Sequence, residues 1–125
     1  MMKLSSRSVI AVVDDDIRIL EALRELLEST GYTVNVHTSG QSLLDNGGLK
    51  PGDCLITDLG MPDMDGFELC RRLRLINPDL PVIFMTARNG MHDQERADRF
   101  GHHGLFHKPF HGAALIASLK EALGR

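Results

Sequence analysis

The segment CLITDLGMPDMDG, residues 54–66, has the form of half a βα unit. Its apolar run Cys54–Thr57 stops on a single carboxylate, Asp58. Turn chemistry follows at once in Met61-Pro62-Asp63 and Asp65-Gly66, and an apolar-periodic stretch begins at Phe67. In open parallel sheets ligands bind beyond the carboxyl ends of the strands. Asp58 is therefore the expected chemical centre, served by the ends of the other strands.

The same alternation runs outward in both directions. Upstream, Ser8–Val13 is a continuous apolar run ending on Asp14-Asp15-Asp16, as in a strand covered on both faces. Ile17–Ser29 carries a helical stripe of Ile19, Leu20, Leu23, Leu26 and Leu27, and Gly31 stops it. Tyr32–His37 alternates like an edge strand, and Ser39 caps a short helix over Gly40–Asp45. Downstream, Asp65 caps a helix over Gly66–Ile76. Phe67, Cys70, Leu73 and Ile76 are expected to face inward there, with Arg71, Arg72 and Arg74 mostly outward. Pro81 opens a strand over Val82–Met85 with Thr86 at its end. Asp93 is expected to cap a polar fourth helix that ends at Gly101. Gly104–His107 forms a short fifth strand before Lys108-Pro109, and Gly112–Leu123 forms the fifth helix.

Five strands alternating with five helices require a parallel sheet with helices on both faces, an α/β doubly wound architecture. The expected strand order is the flavodoxin-like 2-1-3-4-5, a (βα)5 arrangement with its switch point between strands one and three. No repeat, linker or low-complexity tract interrupts it, so a single domain over residues 1–125 is expected, with its core at about 8–123.

The composition, 42% apolar and 25% charged over 125 residues, is that of an ordinary globular chain. A net charge of −3 argues against a direct nucleic-acid partner. Cys54 and Cys70 lack CxxC spacing and read as reduced core residues. No apolar run approaches the roughly 20 residues that span a bilayer. Val9–Val13 is too short for a signal-peptide core. A cytoplasmic protein without a membrane partner is expected.

Asp14, Asp15, Asp58, Thr86 and Lys108 all fall at strand carboxyl ends, so the fold gathers them on one edge. Three acids together suit a hard cation with oxygen ligands, and Mg²⁺ accepts one or two carboxylates while keeping waters that a phosphate can replace. A lysine and a hydroxyl on the same edge resemble a phosphate clamp. Asp58 among them is a plausible phosphoryl acceptor.

The motifs VVDDD (12–16), TDLGMPDMDG (57–66), FMTA (84–87) and HKPF (107–110) resemble the response-regulator receiver domain of two-component signalling, the CheY-like superfamily. The resemblance runs from about Val9 to Leu123. It implies that Asp14 and Asp15 hold Mg²⁺, that Asp58 is the phosphorylated residue, and that Gly60 offers a main-chain carbonyl to the metal. It also implies that Thr86 is the switch hydroxyl, that Lys108 contacts the phosphoryl group, and that Lys108-Pro109 is cis. The implied donor is a sensor histidine kinase or a phosphotransfer protein, and the implied output is a partner-binding surface for a downstream effector or a fused output domain. Dimerisation through the helix 4–strand 5–helix 5 face stays open. One departure stands out: the position where the family has Tyr or Phe holds Leu105, while Phe106 beside it points to the opposite face of a strand. Arg88, two past Thr86, is expected to border the phosphoryl site.

The remaining features read more plainly. Asp16 is an N-cap, the Met61/Met64 pair is loop packing, and His92, His102, His103, His107 and His111 are solvated side chains rather than a metal site. Two other functional classes compete with a phosphorylation-switched module. Leu105 motivates a constitutive binding module. A phosphohydrolase with an aspartyl-phosphate intermediate would commonly carry a second acid two residues after its nucleophile, where this chain has Gly60.

Overall fold

Strand and helix alternate through the whole of the described chain, residues 8–87 and 91–124 of a computed structural model. In order they are β1 Val9–Val13, α1 Ile17–Ser29, β2 Thr33–His37, α2 Gly40–Asp45 and β3 Cys54–Asp58. They continue as α3 Gly66–Ile76, β4 Val82–Thr86, α4 Met91–Phe100, β5 Leu105–His107 and α5 Gly112–Ala122. All strand pairings are parallel, in the order β2-β1-β3-β4-β5. This is the doubly wound flavodoxin-like order expected from the pattern of apolar runs.

The strands sort their side chains by the two-residue period. Ala11, Val13, Leu55, Val82 and Phe84 join Phe67, Leu69, Cys70, Leu73 and Ala97 in a core beneath α3 and α4. Ile10, Val12, Cys54, Ile56, Ile83 and Met85 join Leu20, Leu23, Leu27, Leu115 and Leu119 beneath α1 and α5. All five residues of β3 and of β4 are buried. β2 is exposed, buried and exposed over Thr33–Asn35 and half-buried at Val36 and His37, the lighter cover of an edge strand. Both cysteines are free and buried, and burial pushes the Cys54 thiol up to about 12.

Side-chain caps begin three helices. Asp16 accepts from Arg18 N, Ser39 from Ser42 N and Asp65 from Glu68 N, as their positions before each helix suggest. Asp93 is not a cap; α4 begins at Met91 and places Asp93 in its first turn.

Three side chains lie otherwise than the periodicity indicates. Ile76, expected inward, is 82% exposed because α3 ends there and overhangs the sheet, while Leu69 and Leu80 are buried instead. Arg74 is half-buried. Its guanidinium donates to Leu80 O at 2.9 Å, to Gly101 O at 2.8 Å and to Phe100 O, tying the end of α4 to α3. His102 is not solvated: its side chain is 14% exposed and its Nε2 lies 2.8 Å from Asp98 Oδ1. It sits against the ring of Phe84, which also meets Phe67 and Phe100.

Candidate functional site

β1 and β3 are neighbours, so their carboxyl ends bring Asp14, Asp15 and Asp58 to one crevice. One oxygen from each carboxylate lies within 4.8 Å of the others. Asp14 is wholly buried and Asp58 nearly so, whereas Asp15 is exposed. The main chain fixes the first acid: Asp14 N donates to His37 O at 3.1 Å, and Asp16 N donates to Asp14 Oδ1 at 2.9 Å. Asp58 Oδ2 accepts from Gly60 N at 3.2 Å.

Lys108 reaches the same point from the end of β5. The Lys108-Pro109 peptide is cis. Lys108 Nζ lies 2.6 Å from Asp14 Oδ2 and 3.0 Å from Asp58 Oδ1. Burial disfavours the ammonium, yet the hydrogen bonds it donates to Asp14 and Asp58 carry its pKa above the usual lysine value. Burial raises the Asp14 carboxyl and outweighs the opposing bond from Lys108; the neighbouring charge of Asp58 adds to the rise. One ammonium therefore serves two carboxylates, and the cluster retains an excess of negative charge.

Thr86, buried at the end of β4, closes the far side. With Ala87, Gly60, Lys108 and the three acids it lines an open cleft of about 300 Å³. The five residues expected at the strand ends are thus brought together. Leu105 is not part of this cleft. It lies beside Phe84 in register and packs, half-buried, on the core beneath α3 and α4, while Phe106 packs on the opposite face. Arg88 lies outside the described residues.

Two neighbours of Asp58 were not singled out by residue type. Thr57 Oγ1 donates to the Asp58 carbonyl oxygen at 3.0 Å. Gly66, the first residue of α3, lies against the same carbonyl with no room for a side chain. The available signal was a glycine directly after the Asp65 cap, where a helix gains nothing from it.

The donor set is all oxygen, negatively charged and open to solvent on one side. Such a set fits a hard divalent cation such as Mg²⁺ and is unsuited to softer metals. Among the described residues no helix is long and apolar enough to cross a membrane.

Comparisons with known proteins converge on the same reading. The transcriptional regulatory protein FixJ of Azorhizobium caulinodans is 38% identical over 114 residues, covering 91% of this chain and 54% of FixJ. The transcriptional regulatory protein CreB of Escherichia coli is 34% identical, covering 95% of this chain and 52% of CreB. The chain thus spans about half the length of these curated relatives. Among solved structures, the chemotaxis protein CheY4 of Vibrio cholerae superposes with a TM-score of 0.84 at 26% identity, over 94% of this chain and 99% of that one. The BeF3-activated DrrB receiver domain superposes with a TM-score of 0.85 at 28% identity, over 95% and 99%. Residues 10–120 match the family described as the response regulator receiver domain. With its parallel sheet, the order of its strands and its acid-lined edge, the chain belongs to the response regulator receiver domains of two-component signalling.

Proposed function

We propose that Asp58 accepts a phosphoryl group from the phosphohistidine of a sensor histidine kinase or phosphotransfer protein, and that residues 8–123 work as one such switch in the cytoplasm. The observation that carries this reading is the convergence of three carboxylate oxygens within 4.8 Å and the Lys108 ammonium on one strand edge. Asp14, Asp15, Asp58 and the Gly60 carbonyl would hold Mg²⁺, which supplies charge neutralisation and orientation of the phosphoryl oxygens.

The chain's own residues do the rest. A carboxylate oxygen of Asp58 forms the new bond to phosphorus as the phosphorus–nitrogen bond of the donor breaks and its electron pair leaves with the imidazole. Lys108, already 3.0 Å from Asp58 Oδ1, meets an oxygen of the transferred group. The Thr86 hydroxyl lies on the same cleft and meets another. The adduct brings about −1.5 to −2 of charge, by analogy with other phosphorylated side chains. Drawing Thr86 and Lys108 toward that charge shifts the ends of β4 and β5. Leu105, beside Phe84, passes the shift to α4 through packing rather than through a hydroxyl. The surface presented to an effector, or to a second copy across the α4–β5–α5 face, changes accordingly.

Intact-protein mass spectrometry after incubation with a small acyl phosphate and Mg²⁺ tests the reading. One phosphoryl adduct is expected, absent from Asp58→Asn and abolished by EDTA. A folded protein that takes up no phosphate would overturn it in favour of a constitutive binding module, and an Asp58→Asn variant modified to the same extent would overturn Asp58 as the acceptor.

A further inference from the structure

We propose that Thr57 and Gly66 are positioning residues for Asp58: together they hold its main-chain carbonyl at one point between β3 and the first turn of α3. The inference rests on the reading of Asp58 as the phosphoryl acceptor.

Thr57 is wholly buried, and its hydroxyl is turned to the carbonyl of the next residue, donating to Asp58 O at 3.0 Å. Gly66 lies against the same carbonyl, and its N–H donates to Leu59 O at 3.3 Å. A Cβ on Gly66 would overlap the Asp58 carbonyl oxygen. It would also come within 3.2 Å of both the Asp58 carbonyl carbon and Thr57 Cγ2. Gly66 does not have a positive φ, so its backbone conformation is open to any residue. The requirement is therefore one of space, and the atom that needs the space belongs to Asp58.

A carbonyl bonded by the Thr57 hydroxyl and hemmed in by the Gly66 backbone fixes the direction in which the Asp58 side chain leaves the backbone. The carboxylate then meets Lys108, Gly60 N and the facing acids without a search. Adding a methyl at Gly66 must displace either α3 or this carbonyl, because backbone cannot fold away as a flexible side chain can. Displacing a reacting group by about 1 Å costs on the order of 10²-fold in rate. A role confined to helix packing predicts something else: the rate per folded molecule would follow α3 stability and would be indifferent to the Thr57 hydroxyl.

The test compares Gly66→Ala, Thr57→Val, Thr57→Ser and the α3 core variant Leu73→Ala. Phosphoryl uptake from a small acyl phosphate at saturating Mg²⁺ is followed by intact mass and expressed per folded molecule. The ¹³C resonance of the Asp58 carbonyl is recorded in the metal-free proteins. Gly66→Ala is expected to slow uptake about 10²-fold by misplacing the carboxylate. Thr57→Val is expected to slow it about fivefold, the worth of one hydrogen bond, with Thr57→Ser restoring the wild-type rate. The Asp58 carbonyl resonance should move in Thr57→Val and stay in place in Leu73→Ala, whose uptake per folded molecule should be unchanged. Wild-type rates in both Gly66→Ala and Thr57→Val, or an equal slowing in Leu73→Ala, would overturn the proposal. If Gly66→Ala does not fold, the Thr57 pair decides alone. A wild-type chain that takes up no phosphate would overturn the phosphoacceptor reading and this inference together, whereas a modified wild type with unaffected variants would overturn only the inference.

Discussion

At the ends of β1 and β3, three carboxylates crowd together, two of them share one ammonium, and burial lifts the Asp14 carboxyl above its ordinary value. On the face beneath α3 and α4, Phe67 stacks on Phe100 with centroids 5.3 Å apart and meets Phe84 at 5.2 Å. There Arg96 lies over the Phe67 ring, and Arg74 closes the end of α4 with bonds to main-chain carbonyls. The first region gathers like charges, whereas the second gathers complementary surfaces. One sheet can carry both because β3 and β4, buried along their length, present opposite demands at their ends and along their faces. Substitutions in the two regions should therefore move stability in opposite directions.

The largest effect is expected in the aromatic face. Phe84→Ala should lower unfolding free energy by about 3–5 kcal/mol, measured by urea denaturation, because the fully buried ring leaves a cavity among Phe67, Phe100 and His102. A loss under about 1 kcal/mol, the range of ordinary surface changes, would erase the contrast. Arg74→Met comes next at about 2 kcal/mol, since the partly buried carbonyls of Leu80 and Phe100, and the exposed one of Gly101, lose a charged donor. Amide exchange in that variant should quicken around Ala97–Gly101 more than in α1.

The acid edge should respond with the reverse sign. Without a divalent cation, Asp58→Asn should raise stability by about 1 kcal/mol, as one of three crowded charges is removed while Lys108 keeps Asp14. Mg²⁺ should then raise the melting temperature of the wild type more than that of the variant. A destabilised Asp58→Asn protein would show that the Lys108–Asp58 pair outweighs the crowding. The smallest effect belongs to Glu68, whose hydrogen bonds from Arg71 and then Arg72 draw its carboxyl down to about 2. Because the folded value lies below the ordinary 4.5, this stabilisation is present above pH 4.5 and is lost as the pH falls toward 2. Glu68→Gln should therefore lower the urea midpoint slightly at neutral pH, and the difference should vanish in acid.

The two regions were also unequally legible in the sequence. Strands covered on both faces read as continuous apolar runs, so β1, β3 and β4 declare themselves, and the acids that end them fall on one edge by topology alone. The caps at Asp16, Ser39 and Asp65 were equally plain, because short polar side chains before an apolar stripe have few other uses. The aromatic face was harder to read. Whether Ile76 turns inward depends on what lies beyond the last turn of α3, and Arg74 is half-buried only because the end of α4 happens to lie within its reach. His102 gives no local sign that Asp98 and Phe84 will enclose it. Within the site, the members were legible but the distances were not: that one lysine touches two acids follows from tertiary placement.

That lysine also sets a timetable. It follows Asp14 by 94 residues, and chains leave the ribosome from the amino end. Every acid of the cluster is thus made well before the cation that balances it. A nascent or broken chain ending before β5 has the carboxylates but neither the ammonium nor the strand that carries it. Its site is repulsive and incomplete, however well β1 and β3 pair. The proposed competence to accept a phosphoryl group is consequently absent until β5 has been made and has paired with β4.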